Sequence, residues 1–335
     1  MKKILFYIII FVIICFGIPI LFTNKKDNTK EVSTIQENVQ SNEQNEIKEY
    51  DYKQYNKIKL LHKQSTQVEE MPLDEYLYGV VSAEMPASFE KEALKAQAIV
   101  ARTYTIYKIQ NAKKHEEADI CDDSTCCQAW ISKEDRLAKW EESARQSNWE
   151  KIVDAVDSTK GKIITYEGKP INAFFHSNSG GKTETTVNVW GGSGYPYLQS
   201  VSTFGEEAYT QYKSEVTLNK QTFIDKIKEK HNEFEIDFGT QDCIKILEYT
   251  DGERVKKIKV GNLELSGVEI RTILGLKSAN FEVIMDESDN ITFKVKGYGH
   301  GVGMSQTGAD SMAKQGSNFE EIIKHFYTGV EIQNI

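Results

Sequence analysis

The chain carries no excess of positive charge. Its formal net charge is -9, so it lacks the dominant basic surface that a phosphate backbone requires, which argues against a nucleic-acid partner. The same balance disfavours polyanionic ligands, although a local basic patch remains compatible with it. Arginine is scarce beside lysine, occurring only at Arg102, Arg136, Arg145, Arg254 and Arg271. That bias is compositional, and it makes any arginine inside a motif more notable. Beyond residue 58 there is no low-complexity break and no internal repeat. What remains is an ordinary globular composition, 39% hydrophobic and 27% charged over 335 residues. Disorder throughout is thereby excluded, and the length suffices for one large core or two small ones.

The N-terminus joins Lys2 and Lys3 to an uncharged run from Ile4 to Phe22. At about 1.5 Å per helical residue this run comes close to spanning a hydrocarbon core. The expectation is a single membrane anchor over 1–23 that places the rest of the chain outside the cytoplasm. A cleaved signal peptide is the competing reading, but no small-x-small cleavage site precedes Asn24. Residues 24–57 are rich in Asn, Gln, Glu and Lys and too poor in apolar groups to offset their ordering entropy, so they read as a flexible linker.

From Ile58 onward the pattern is mixed. Leu73, Leu77, Val80 and Val81 recur at helical spacing behind Pro72 and Asp74, which predicts a helix over 73–84 with Glu84 on the same face. A second helix, with Ser88 as its cap, runs through Ala93 and Ala101 to Tyr104 or beyond. The stretch 133–157 reads as more helix, with Trp140 and Trp149 as packing residues. Alternation and β-branching predict strands at 161–166, 171–176, 244–250, 254–260, 282–285 and 291–297. Two closing helices follow at 305–314 and 319–327, the second opened by the capping pair Asn318 and Glu321. Helices and strands are partly segregated, so the fold class is α+β, a single elongated domain over 58–335 with antiparallel or mixed sheets.

Four groups of residues could carry chemistry. Glu84 falls on the inward face of its helix, where desolvation raises a carboxyl pKa and lets it hold a proton near neutrality, as a general acid for glycoside cleavage must. A helix-end Glu that reaches solvent or pairs with a lysine is the plain alternative. Arg102, on the neighbouring helix, could pair with Glu84 or bind substrate; a surface salt bridge is its bland reading. Phe174, Phe175, His176, Ser177, Asn178, Ser179, Gly180, Gly181 and Lys182 form an apolar strand end opening into small polar residues suited to sugar recognition, or simply a turn. The run from Gly297 through His300 and Gly303 to Ser305 and Gln306 lets backbone approach a ligand closely, yet lacks both the Walker lysine and the dinucleotide spacing. Finally, His115, Cys121, Cys126 and Cys127 crowd into thirteen positions. Zinc accepts this mix, with His115, Cys121 and Cys127 as the evenly spaced set, while a disulfide from Cys121 to Cys126 or Cys127 is the rival outside the cytoplasm. Cys243 reads as a lone buried thiol.

Ser82-Ala83-Glu84-Met85-Pro86, then Glu92 to Ala98 and Ala101-Arg102-Thr103-Tyr104, resemble the opening signature of the SpoIID/LytB family. Phe175 to Gly181, Val189-Trp190-Gly191-Gly192 and Gly299 to Gln306 follow in family order, so the likeness spans nearly all of 58–335. It implies a lytic transglycosylase that cleaves peptidoglycan glycan strands between the two membranes of a sporulating cell during engulfment. It also implies the amidase SpoIIP, which first strips the stem peptides, and the membrane protein SpoIIM as partners. The family's catalytic Glu falls on Glu84, its essential Arg on Arg102 and an important Lys on Lys182, with His176, Ser177, Asn178, Ser179, His300 and Gln306 in the other motifs. The His and Cys cluster resembles a zinc-bearing clostridial variant. Some relatives are amidase enhancers, so a glycan-binding activator of an amidase is the alternative function, and a zinc-centred hydrolase a third.

Overall fold

In the computed structural model, residues 52–111, 114–285 and 289–335 are described. The expected anchor over 1–23 and most of the expected linker over 24–57 lie outside them. Among the described residues no helix is long and apolar enough to cross a membrane.

The first strands, β1 (Lys57–Leu61) and β2 (Val68–Pro72), pair antiparallel, with Ile58 and Leu60 of β1 buried and its lysines exposed. Pro72 leads directly into α1 (Leu73–Glu84), whose Leu73, Tyr76, Leu77, Val80 and Val81 are buried. The helix stops where Met85 turns extended before Pro86, because a proline disfavours helical backbone in the residue before it. Next comes α2 (Lys91–Asn111), alanine-rich and buried along most of its length. It starts three residues later than Ser88, which therefore lies in the preceding turn and is not its cap. Small side chains allow close approach from all sides, and α2 is the axis of the larger core. The two-residue β3 (Ile120–Cys121) adds to β1 in parallel.

The expected helix over 133–157 is two helices, α3 (Lys133–Lys139), capped by Ser132, and α4 (Glu142–Asp157). Trp140 and Glu141 take extended backbone and break them apart. Then come β4 (Lys162–Tyr166) and β5 (Lys169–Pro170). The expected strand over 171–176 is reduced to β6 (Phe175–His176). Its first half is buried but bonds irregularly, with Ile171 N–H to the Ile164 carbonyl, Asn172 N–H to the Tyr197 hydroxyl and Phe174 N–H back to Asn172. A short α5 (Thr186–Trp190) closes this half.

A second core, built around Phe223, Phe234, Ile258, Ile270, Phe281 and Phe293, occupies the next eighty or so residues. It comprises β7 (Lys213–Asn219), α6 (Lys220–Lys228), β8 (Ile244–Tyr249), β9 (Val255–Val260), β10 (Leu263–Leu265), α7 (Gly267–Leu274), β11 (Asn280–Met285) and β12 (Asn290–Lys296). These form two antiparallel sheets, β10-β9-β8 and β11-β12-β7. Asn219 and Ser266 cap α6 and α7. Cys243 is buried at its edge. The chain then returns to the first core through β13 (Met304–Ser305), parallel to β6, and α8 (Gln306–Lys314), capped by Ser305. It ends in α9 (Phe319–Phe326), which carries the expected Asn318/Glu321 capping box, and β14 (Glu331–Asn334), paired with β4. Around α2 pack α1, α4, α8, α9 and β4. The architecture is α+β.

Candidate active site

Glu84, the last residue of α1, faces a cleft of about 390 Å³ walled by the α1 end, α3 and the α8 start. Met85, Pro86, Phe89, Arg136, Trp140, Ser177, Gln306 and Thr307 are among its lining residues. Burial raises the Glu84 carboxyl to about 6; the Ala129 N–H, donating to Oε1 at 2.7 Å, and the nearby Gln306 amide pull the other way. The carboxyl is thus poised near neutrality, with one oxygen fixed by backbone. Arg136 approaches from α3 with its guanidinium carbon 5.6 Å from the Trp140 ring centre, and burial lowers its pKa. Arg136 Nε is buried without a hydrogen-bond partner among the described residues.

The loop around Ser177 is held by a carboxylate that no sequence motif announced. Glu206, fully buried in a short 3-10 turn (Glu206–Ala208), accepts bonds from Ser179 N–H at 3.1 Å, Gly181 N–H at 3.2 Å, and the hydroxyls of Thr203, Ser179, Ser305 and Thr307. Burial alone would raise its pKa, but these donors outweigh it and hold the group below the usual carboxylate range. Three separate segments meet on this one side chain. The same loop is tied to the second core by Arg254, 3% exposed, which donates to the carbonyls of Ser179, Lys182 and Gly252. Gly301 packs on that guanidinium at φ 85°, where a Cβ would collide with it.

Of the residues singled out for substrate contact, Ser177 and Gln306 line the cleft with Glu84, and the others do not. Asn178 and Ser179 turn inward, Asn178 donating to the Thr307 hydroxyl and Ser179 serving Glu206. Lys182 pairs through its backbone with Ser202. His176, buried, donates Nδ1–H to the Val302 carbonyl at 3.1 Å. Burial pushes it down to about 3 and His300 far down as well, so both rings are neutral at physiological pH. They pack with Phe174 and Trp190 in an aromatic cluster, the His300 and Trp190 centroids 5.0 Å apart. Arg102 is fully buried and donates to the carbonyls of Val156, Thr159 and Lys162, with Asp74 at 3.7 Å. It therefore caps the α4 end and does not line the Glu84 cleft. Neither Arg136, which lies in no motif, nor Glu206, most of whose partners are far away in sequence, left a signal in the sequence.

His115, Cys121, Cys126 and Cys127 converge, their ligand atoms all within 4.8 Å of one another. His115 Nε2 lies 3.8 Å from the sulfurs of Cys126 and Cys127, which are themselves 3.9 Å apart. The thiols are free, and a disulfide would need sulfurs about 2 Å apart. Cys126 completes a set of four that spacing alone left at three. This group could hold a metal ion. It stands two residues before Ala129, and intervening Gln128 is clamped by Tyr76 and Thr105.

Comparison with known proteins identifies the family. The SpoIID family profile, described as stage II sporulation protein, matches residues 61–166. The chain is 40% identical over 267 residues to the stage II sporulation protein D of Bacillus subtilis (strain 168), covering 79% of this chain and 75% of that one. It is likewise 40% identical to the stage II sporulation protein D of Bacillus amyloliquefaciens, with the same coverage. It is 28% identical to the amidase enhancer of Bacillus subtilis (strain 168), covering 76% of this chain and 40% of that protein. With Glu84, Arg102 and the flanking helices inside the matched segment, the chain belongs to the SpoIID family of sporulation proteins.

Proposed function

We propose that this protein is a lytic transglycosylase that cuts peptidoglycan strands between N-acetylmuramic acid and N-acetylglucosamine. The observation that carries the reading is the solitude of Glu84. It is the one carboxylate among the described residues lining the cleft, and it titrates near 6. Such a group can give a proton and take one back near neutral pH. A glycosidase working with water uses a second carboxylate, about 5–10 Å away, as nucleophile or base, and the cleft wall supplies none.

In this mechanism Glu84 protonates the bridging oxygen as the C1–O bond of the muramic residue breaks. The resulting carboxylate, steadied by the Ala129 N–H, then accepts the proton of the muramic 6-hydroxyl while that oxygen closes onto C1. A 1,6-anhydro ring and a free 4-hydroxyl result, and no water is consumed. Trp140 and Phe89 offer apolar faces to the sugar rings, and Gln306 and Ser177 offer polar partners.

The cluster suits zinc. From bond lengths of about 2.3 Å to sulfur and 2.0–2.1 Å to nitrogen, a tetrahedral site has edges of roughly 3.5–3.8 Å, near the 3.8 and 3.9 Å seen here. Four protein ligands close the coordination sphere, which marks a structural ion. When bound it would pin the segment that presents Ala129 to Glu84, and no step of the reaction needs to pass through it. The apolar run over 4–22 would tether the domain outside the cytoplasm, and an amidase of the SpoIIP kind would act beforehand.

The test is mass spectrometry of products from peptide-free strands. Anhydro-muramic ends are expected, and reducing muramic ends would contradict the reaction. The likeness to an amidase enhancer favours a second reading, a glycan-binding activator, which would leave the strands uncut while raising the rate of an amidase.

A further inference from the structure

Arg136 stands in the wall of the Glu84 cleft with a chemistry that the transglycosylation steps do not use. Its guanidinium lies 5.6 Å from the Trp140 ring centre, and its Nε is buried and unpartnered. Among the described residues it makes no ion pair, although acids outnumber bases in this chain by 50 to 41. Gln306, whose amide lies beside Glu84, lines the same cleft. An arginine kept apart from the many available acids, partly desolvated and set in a concave wall, is suited to an incoming anion. The planar fork of guanidinium matches a carboxylate in two parallel bonds.

A glycan of N-acetyl sugars is neutral except at one place. The 3-O-lactyl group of muramic acid ends in a carboxyl, which is an uncharged amide while a stem peptide is attached and a carboxylate once that amide is hydrolysed. We infer that Arg136 is the specificity residue that reads this free lactyl carboxylate, so that the cleft selects strands already processed by a peptide-releasing amidase. The inference rests on the proposed reading of the cleft, prior amidase action included, and adds to it a ligand contact.

The experiment uses the Glu84→Gln protein, in which the mechanism expects turnover to fall by about a hundredfold or more. It is titrated calorimetrically with peptide-free muramic-containing oligomers, and with the same oligomers after conversion of their lactyl carboxylates to methylamides. The free acids should bind about tenfold to a hundredfold more tightly, the range of a charged hydrogen-bond pair. Adding Arg136→Gln should make the two ligands bind alike, while Arg136→Lys should keep part of the preference. Equal binding of both ligands to the parent protein, or a preference that survives Arg136→Gln, would overturn the assignment. Since this readout is binding without cleavage, it stands apart from product analysis: reducing muramic ends would end the transglycosylase reading and leave the carboxylate preference to be measured on its own.

Discussion

Replacing Glu206 with alanine should loosen the floor of the cleft from beneath. The carboxylate receives two backbone N–H groups, of Ser179 and Gly181, and four hydroxyls. The hydroxyls can turn toward one another, since Ser179 already lies 2.5 Å from Thr203 and Ser305 lies 3.5 Å from Thr307. The backbone groups cannot turn. Gly181 N–H keeps Ser179 Oγ as a second acceptor at 3.2 Å, so the buried Ser179 N–H is the one left without a partner, at about 1–3 kcal/mol. Against a total stability of about 5–15 kcal/mol, that is a large share. The melting temperature should fall by something on the order of 5 °C. The sign with pH follows from the depressed pKa. A carboxylate held below its unfolded value stabilises fully above that value, about 4.3, and the contribution disappears as pH falls through the folded pKa. The gap between wild type and Glu206→Ala should therefore be widest near neutrality and shrink in acid. Thermal unfolding followed by circular dichroism from pH 3 to 8 measures this, and a gap under 1 kcal/mol at pH 7, or one that grows in acid, would refute the reasoning.

Three further outcomes follow from the same structure. Glu84 has a raised pKa, so its burial penalises the charged form; that penalty is absent below the unfolded pKa and sets in as pH rises through about 6. Glu84→Gln should accordingly unfold about 2 kcal/mol less readily than wild type at pH 7.5 and no less readily at pH 4, as urea titrations at the two pH values would show. Arg102→Lys keeps the charge but cannot bridge the carbonyls of Val156, Thr159 and Lys162, so the unfolding free energy from denaturant titration should drop by about 2 kcal/mol or more, while glycan affinity of the folded fraction stays put. Zinc should bind with one equivalent per chain and leave under chelation or acid, and Cys126→Ser should weaken it about as much as Cys121→Ser; metal analysis after dialysis checks both.

Local periodicity made much of the first core readable, because α1, α2 and α9 repeat apolar residues at helical spacing over several turns. The break at Trp140 and the reduction of 171–176 to two paired residues were not readable, since both depend on what the backbone finds to bond with after collapse. The strands β1, β2 and β7 were missed for a related reason: their charged outer faces and short lengths give a weak alternation that becomes a strand only when a neighbour pairs with it. At the site, Glu84 was legible as a carboxyl on an apolar face. Its partners were not: the Ala129 N–H is a backbone group, Arg136 lies in no motif, and Glu206 gathers three distant segments. Asn178, Ser179, His176 and Arg102 bond to the architecture that presents the cleft, and residue type alone does not reveal such placement.

The most direct test of the account compares turnover and binding of peptide-free glycan strands by wild type and Glu84→Gln at pH 6. The account expects folding and affinity to be retained while release of anhydro-muramic ends falls by about a hundredfold or more, the contribution of one general acid and base. A Gln variant that cuts as fast as wild type would contradict it.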